Sequence, residues 1–199
     1  LIEHVIKESK KSKYIDETYI STDSLRYIKI AKKAGAIIPF KRPKKLSLDN
    51  SSSFSVIEHF LDYLKKQDNK KYNILVLLEP TSPMTSFKDI DYCLKSLIFD
   101  KRADSLVGIS KIEKYDLKSV FTLSKDFLLE NVNGKIINNF NRFKNDDLFF
   151  LDGSIYISKI DKLLSNKGFI SKKTKGYIFP YHKSFEVDNM TDLKIIKID

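Results

Sequence analysis

The amino-acid sequence predicts an α/β fold with a mostly parallel, doubly wound sheet that is covered by helices on both faces. The segment YNILVLLEP (72–80) is apolar almost throughout, as is typical of a central parallel strand. Residues 14–40 have the pattern of a strand, a helix and a short strand, which indicates a βαβ unit and hence a parallel sheet. Strand and helix patterns continue to alternate after residue 80, so the rest of the chain fits the same fold class.

Three helices are predicted in the first part of the chain, before the central strand. In LIEHVIKESKKS (1–12), Leu1 and Val5 fall on one side of a helix. Strands are predicted at 14–22 and 36–40, and the helix between them is capped by Asp23 or Ser24 and ended by Gly35. The next helix ends near residue 67. Ser55 and Glu58 have the spacing of a capping box for it.

The second part of the chain adds further strands and helices. Ser86 and Asp89 have the spacing of a capping box at the start of a helix. The further strands are predicted at 103–110, 148–158, 175–181 and 184–188, with a short helix at 159–167 and a final helix at the end. The irregular region 113–147 contains NVNGK (131–135), which predicts a hairpin turn. No repeat or linker divides the chain, so residues 1–199 are predicted to be a single domain.

Composition excludes several classes of protein. The 199 residues are 42% hydrophobic and 31% charged, which is ordinary for a globular domain. The net charge of +10 comes from lysines spread along the whole chain, so it does not favour a nucleic-acid partner. No apolar run approaches the ~18 residues that a membrane span needs. The lone cysteine, Cys93, predicts a buried apolar side chain and a reducing compartment, which indicates the cytoplasm.

Polar segments are predicted to converge outside the carboxyl ends of the strands, where open α/β sheets bind ligands. They are Ser21–Ser24, Glu79–Pro83, Leu151–Ser154 and Glu186–Asp188. Each also has an ordinary structural explanation: a helix cap, a rigid proline turn, a bulge at Gly153, or a cap for the last helix.

Glu186 and Asp188 lie one residue apart in SFEVD (184–188), so in an extended strand both carboxylates face the same way. Like charges held together oppose each other's ionisation unless a cation lies between them. A lysine, solvent or a metal ion would each meet that need. The alternative is that Asp188 caps the final helix, with Asp192 interacting favourably with the helix dipole.

The ordered set of LVLLEPTSPMTSFKDID, LDGSIYIS and SFEVDNMTDL, preceded by the pattern of residues 1–49, resembles the acylneuraminate cytidylyltransferase family over essentially the whole chain. These enzymes activate nine-carbon 2-keto acids such as sialic, pseudaminic and legionaminic acid as CMP-sugars. Glu79 stands where the sialic acid enzymes have glutamine, which makes the chain look more like the bacterial legionaminate-type members.

The resemblance implies a Rossmann-like, three-layer nucleotidyltransferase fold with a small hairpin region for dimerisation. It implies CTP and a nonulosonic acid as substrates, Mg²⁺ as cofactor, and a homodimer contacted through roughly residues 149–181, with no nucleic-acid or membrane partner. The family also carries an N-terminal strand with a basic, glycine-containing phosphate loop. No such loop occurs in this sequence. We therefore expect the domain to be truncated at its N-terminus and this chain alone to lack normal activity.

The resemblance also implies roles for individual residues. The metal-binding and catalytic acids fall on Glu186, where the family usually has aspartate, and Asp188. The other implied contacts are with the nucleotide and the sugar, and they fall on Arg42 beside Pro43, Glu79, Thr81, Ser82, Lys118, Arg142, Asp152 and Gly153. Lys118 would line the sugar pocket and Arg142 would meet the sugar carboxylate. Asp152 replaces the family's asparagine, which leaves its contact with the sugar open.

Two other functions remain open from the sequence. The missing phosphate loop and the changes at Glu79, Asp152 and Glu186 would also fit a noncatalytic relative that binds a nucleotide or sugar. The scattered lysines would fit nucleic-acid binding, which predicts a steep dependence of affinity on salt.

Overall fold

The structure is a computed structural model that describes residues 1–67, 71–112, 120–123, 125–132 and 148–196. Within these ranges the α-helices are α1 (Ile2–Lys11), α2 (Leu25–Lys33), α3 (Ser53–Gln67), α4 (Phe87–Phe99), α5 (Ile160–Asn166) and α6 (Met190–Ile195). The strands are β1 (Ile74–Leu77), β2 (Ser105–Lys111), β3 (Phe121–Leu123), β4 (Leu129–Asn131), β5 (Phe149–Lys159) and β6 (Thr174–Ile178).

The main sheet has the strand order β1-β5-β2-β6, and β3 pairs with β4 in a separate hairpin. β5 is antiparallel to both of its neighbours, while β2 and β6 are parallel. The sheet is therefore mixed, and the prediction is confirmed in that three of its four strands, β1, β2 and β6, run in one direction. Because β5 runs in the opposite direction, its first residues lie beside the carboxyl ends of β1 and β2. This reversal brings the segment 151–154 to the edge where ligands were predicted.

The core lies between α4 and the centre of the sheet. Ile90, Cys93 and Leu97 are fully buried on α4 and belong to one cluster with Ile155 and Ile157 of β5. The prediction that Cys93 is a buried apolar residue is therefore confirmed. The predicted capping box of α4 is also present, since the Ser86 N–H donates to Asp89 Oδ2 at 2.9 Å. This cap fixes where α4 begins, close to the loop that carries Thr81 and Ser82.

The strands predicted at 14–22 and 36–40 are wrong as strands. The two segments meet only in an isolated parallel bridge between Tyr19 and Ile37, held by two backbone hydrogen bonds of 3.1 and 2.8 Å. A strand needs a ladder of successive bonds, and in the described part of the chain neither segment has a second neighbour to supply one. The helix between them is confirmed, with Ser24 accepting a hydrogen bond from the Tyr27 N–H.

Two details of the middle region also differ from the prediction. The side chain at the start of α3 is Ser52, whose hydroxyl accepts from the Ser55 N–H at 3.1 Å, so Ser55 and Glu58 do not form the predicted capping box. A hairpin is present in this region, but it is formed by β3 and β4, with its described connection at 125–128, and most of the turn predicted at 131–135 lies outside the described residues. Asn131, predicted to lie in the turn, is the last residue of β4.

The predicted strand at 184–188 is wrong. Pro180 follows β6, and a short 3₁₀ helix at Tyr181–Lys183 leads into an irregular segment that ends at α6. Proline has no N–H to continue a ladder, which explains why regular pairing stops here. Val187 is nevertheless buried, as predicted for its side of the segment. Glu186 and Asp188 therefore lie on a loop, where their relative orientation is set by tertiary contacts.

Candidate active site

Gly153 brings three of the predicted site residues together. The register between β2 and β5 shifts between Val107 and Ile109, so β5 bulges at this point. Gly153 has a φ of 70°, a left-handed conformation that L side chains rarely adopt. A Cβ atom at Gly153 would overlap Glu186 Oε1 and would lie 3.2 Å from Ser82 Oγ. The structure thus places Ser82, Gly153 and Glu186 in direct contact.

Asp152 supports this bulge from the inside. The side chain is 1% exposed, and its carboxylate accepts hydrogen bonds from the Ser110 hydroxyl at 2.7 Å and the Ser154 N–H at 3.1 Å. It also lies against Gly108, where an added Cβ would be 2.7 Å from Asp152 Oδ1. The carboxylate is therefore directed into the sheet. Its predicted contact with the sugar stays a prediction, and the observed contacts give it a structural role.

The loop after β1 holds the acidic segment in place through its backbone. The Val187 N–H donates to the Thr81 carbonyl at 2.7 Å, between Glu186 and Asp188. The hydroxyls of Ser82 and Ser154 are buried and have no hydrogen-bond partner among the described residues. Buried hydroxyls without partners are uncommon, so these two are candidates to meet a polar group of a ligand.

The electrostatics of the site are dominated by carboxylates. Glu186 is exposed overall, but partial desolvation is the first cause that raises its pKa, followed by the charges of Asp188, Glu79 and Asp152. Burial likewise raises the pKa of Glu79, which is half-buried. This mutual repulsion disfavours full ionisation and would be relieved by a bound cation.

The alternative role of Asp188 as a helix cap is not what the structure shows. Asn189 is the N-cap of α6, and its side chain accepts from the N–H groups of Thr191 and Asp192. Asp192 completes the capping box, and it also accepts from the Asp188 N–H at 2.9 Å. The exposed Asp188 carboxylate therefore does not cap α6, and it is available to a ligand.

The acids fit a Mg²⁺ ion only as a partial site. In the part of the chain that the structure describes, no group of three or more carboxylate, imidazole or thiol side chains is arranged to hold a metal. Mg²⁺ is commonly bound through one or two carboxylates while waters and substrate phosphates supply the other ligands. Glu186 and Asp188 match that pattern, together with a phosphate-bearing substrate.

Arg42 lies in the wall of a neighbouring cavity. Its guanidinium donates to the Ser21 carbonyl and its N–H donates to the Thr22 carbonyl at 2.9 Å. The cavity has a volume of about 880 Å³, and its polar lining includes Ser21, Thr22, Arg42 and Glu79. Glu79 therefore connects this cavity with the acidic cluster. Lys118 and Arg142, the two predicted sugar-binding cations, lie outside the described residues.

Sequence reasoning missed Tyr156, and it included Ser154 only as the last residue of the polar segment Leu151–Ser154. Burial raises the pKa of Tyr156, and the charges of Glu79, Glu186 and Asp152 raise it further, so its phenol lies among the site acids. A signal was present, because Asp152, Ser154 and Tyr156 alternate along one strand and alternate side chains share a face.

Comparison with known proteins identifies relatives over nearly the whole chain. The family model described as Cytidylyltransferase matches residues 1–144. A CMP-N,N'-diacetyllegionaminic acid synthase from Legionella pneumophila is 29% identical over 96% of this chain and 81% of its own length. A pseudaminic acid cytidylyltransferase from Campylobacter jejuni is 26% identical over 100% of this chain and 84% of its own length.

A solved structure shares the fold. A CMP:2-keto-3-deoxy-manno-octonic acid synthetase complexed with CTP superposes with a TM-score of 0.64 at 14% identity, covering 98% of this chain and 84% of that one. The predicted nucleotidyltransferase fold is therefore confirmed. Among the described helices, none has the length and apolar character that crossing a membrane requires.

Proposed function

The chain belongs to the cytidylyltransferase family, and on that premise we propose that it transfers CMP from CTP to a nine-carbon 2-keto sugar acid. The observation that carries this proposal is the match to relatives named for legionaminic and pseudaminic acid, over 96% and 100% of this chain. The products are a CMP-sugar and pyrophosphate. The acid belongs to the sialic, legionaminic or pseudaminic type.

In this reaction the anomeric hydroxyl oxygen of the sugar acid forms a bond to the α-phosphorus of CTP. The bond from that phosphorus to the bridging oxygen of the β-phosphate breaks, the hydroxyl loses its proton, and pyrophosphate leaves. Negative charge grows on the phosphate oxygens, so positioning and electrostatic stabilisation supply most of the catalysis. A bound Mg²⁺ ion would neutralise part of that charge.

Glu186 and Asp188 would hold the Mg²⁺ ion at the edge of the sheet. The raised pKa of Glu186 and the exposed, uncapped carboxylate of Asp188 support this role. Val187 ties the two acids to the loop after β1 through the Thr81 carbonyl. A metal ion held by these acids would lie near the buried, unpartnered Ser82 hydroxyl, which is proposed to meet a substrate phosphate.

The nucleotide and the sugar would bind on either side of Glu79. We assign Arg42, Glu79, Thr81 and Ser82 to substrate binding, with the cavity beside Arg42 on one side and the bulge at Gly153 on the other. Lys118 and Arg142 are proposed to meet the sugar acid because a carboxylate favours a guanidinium fork or a point charge.

We propose a homodimer in the cytoplasm as the working form, with its contact at the β3–β4 hairpin instead of the residues 149–181 that the sequence resemblance implied. The β3–β4 hairpin exposes Phe127, Leu128 and Leu129 at 81%, 66% and 68% of their surfaces. Apolar groups exposed together on a hairpin are typical of an interface. The single, buried Cys93 fits a reducing compartment.

The test is a pyrophosphate-release assay on protein expressed from the complete reading frame. CTP and Mg²⁺ are supplied with legionaminic, pseudaminic or sialic acid in separate reactions. The expected result is release with at least one acid and formation of its CMP derivative. Release with none of them would contradict the proposal and favour a noncatalytic binding protein.

A further inference from the structure

The two candidate metal ligands lie on a segment without regular structure. Glu186 and Asp188 follow the 3₁₀ helix at Tyr181–Lys183 and precede α6. Backbone hydrogen bonds hold this stretch at two points, from the Phe179 N–H to the Ile109 carbonyl at 2.8 Å and from the Val187 N–H to Thr81. Seven residues, 180–186, lie between Phe179 and Val187. A functional group on a loop needs further support if it is to be held within a fraction of an ångström.

Lys183 supplies a charged attachment between those two points. Its ammonium lies 2.6 Å from Asp89 Oδ2, and the side chains are 24% and 8% exposed. Asp89 belongs to the first turn of α4 and is itself fixed, because it accepts hydrogen bonds from the Ser86 N–H and hydroxyl at 2.9 and 2.6 Å. The Tyr177 hydroxyl also donates to Asp89 at 3.3 Å. Lys183 is therefore tied to a rigid part of the core.

We propose that Lys183, held by Asp89, is a positioning residue that sets the place of Glu186 and Asp188 relative to Thr81 and Gly153. Its role for metal binding rests on the proposed function, whereas its role in holding the segment does not. Lys183 precedes Glu186 by three positions in the sequence. Its ion pair with Asp89 is largely buried, and such a pair keeps its geometry better than an exposed one. Groups that orient metal ligands typically change metal affinity by about 10–100-fold when they are lost.

The first experiment measures the segment itself. Amide hydrogen exchange of residues 184–189 is compared in the wild type, Lys183→Met and Lys175→Met. Lys175, which lies on β6, is the matched control, since it forms an ion pair of 3.2 Å with Asp100 at the end of α4. We expect the Val187 amide to exchange about tenfold faster in Lys183→Met alone, with Lys183→Arg close to the wild type. Unchanged exchange in Lys183→Met would overturn the proposal. Lys183→Gln, which keeps one donor for Asp89, provides the comparison if the methionine variant does not fold.

The second experiment connects position to metal binding. The concentration of free Mn²⁺ is measured by electron paramagnetic resonance in the presence of CTP. In a separate assay, the Mg²⁺ concentration that gives half-maximal pyrophosphate release is determined. Lys183→Met should weaken Mn²⁺ binding and raise that Mg²⁺ concentration by about tenfold, with a smaller change in the KM for the sugar acid. Equal metal affinity in the variant and the wild type would overturn the proposal. Loss of both signals in the wild type would contradict the proposed function instead, while the exchange experiment still decides the role of Lys183.

Discussion

Gly153 and Glu186 depend on each other at the residue scale. The space over Gly153 is occupied by the Glu186 carboxylate, and Ser82 Oγ lies beside it. The Glu186 carboxylate can occupy this position only because Gly153, on β5, has no side chain. This dependence explains how a glutamate, one methylene longer than the aspartate usual in the related family, is accommodated at this position.

A methyl group at position 153 should damage both stability and activity. Gly153→Ala would force alanine into a φ of 70° and push the Glu186 carboxylate away. We expect a loss of about 1–2 kcal/mol in the free energy of unfolding from the backbone conformation, and at least about a tenfold loss in kcat/KM. Urea unfolding and pyrophosphate release measure the two effects. Gly168→Ala is the matched control, because an added Cβ there has no neighbour within 4 Å. Equal behaviour of the two variants would contradict this account.

Removing the charge of Glu186 should stabilise the metal-free protein at neutral pH. The pKa of Glu186 is raised above its ordinary value of 4.5, so the folded state binds more protons than the unfolded state as pH rises past that value. Ionisation therefore costs stability, in full above the raised pKa and not at all well below 4.5. Glu186→Gln should raise the unfolding midpoint by about 1–2 °C at pH 7 and not below about pH 4.

Calorimetry of the metal-free protein at both pH values checks that sign. Glu58→Gln, an exposed glutamate on α3, should leave the midpoint unchanged at either pH. A lower midpoint for Glu186→Gln at pH 7, or an equal shift at both pH values, would show that desolvation of Glu186 and its repulsion by the neighbouring acids do not cost the folded state stability.

At the scale of elements, local sequence patterns predict some features of the fold and miss those that depend on distant residues. The apolar run at 72–80 predicts a strand, and β1 confirms it, but the predicted central parallel position is wrong among the described strands, because β1 is half-buried at the edge of the sheet and pairs with the antiparallel β5. The spacing of Ser86 and Asp89 predicts a cap because both partners are local. The antiparallel direction of β5 and the attachment of Lys183 to Asp89 depend on residues far apart in the chain. A local sequence pattern cannot predict contacts between such distant residues. The residues around Glu186 and Asp188 have the alternating pattern of a strand, but tertiary contacts hold their backbone in an irregular conformation.

The bulge of β5 should depend on the Ser110–Asp152 hydrogen bond. Ser110→Ala removes a 2.7 Å donor from a carboxylate that is 1% exposed, and the loss should cost about 2 kcal/mol in the free energy of unfolding. It should also lower kcat/KM, because Gly153 follows Asp152 directly. Urea unfolding and initial rates measure both effects, with the exposed Ser165→Ala as the control. A loss of less than about 0.5 kcal/mol would mean that Asp152 is adequately satisfied without Ser110.

At the scale of the whole molecule, the acidic cluster and a run of exposed apolar side chains lie on different elements. The acidic cluster is built on β5, the loop after β1 and the segment before α6, whereas three consecutive exposed apolar side chains, Phe127, Leu128 and Leu129, belong to the β3–β4 hairpin. This hairpin pairs only within itself among the described strands. A two-stranded hairpin is marginal in water without further packing. Association of two copies through it would both cover the apolar groups and stabilise the hairpin.

A charge on the hairpin should therefore dissociate the dimer without unfolding the domain. Phe127 is 81% exposed, and Phe127→Glu would place a carboxylate in the proposed interface. We expect the dimer dissociation constant to rise at least about tenfold, as for loss of a central aromatic anchor, with little change in the unfolding midpoint of the monomer. Sedimentation velocity over a range of protein concentrations measures the constant. Phe99→Glu is the matched control, since Phe99 is 73% exposed at the end of α4, away from the hairpin in sequence and in element. If Phe99→Glu dissociates the dimer and Phe127→Glu does not, the interface lies on the helix face, and a wild type that stays monomeric at all concentrations would contradict the dimer altogether.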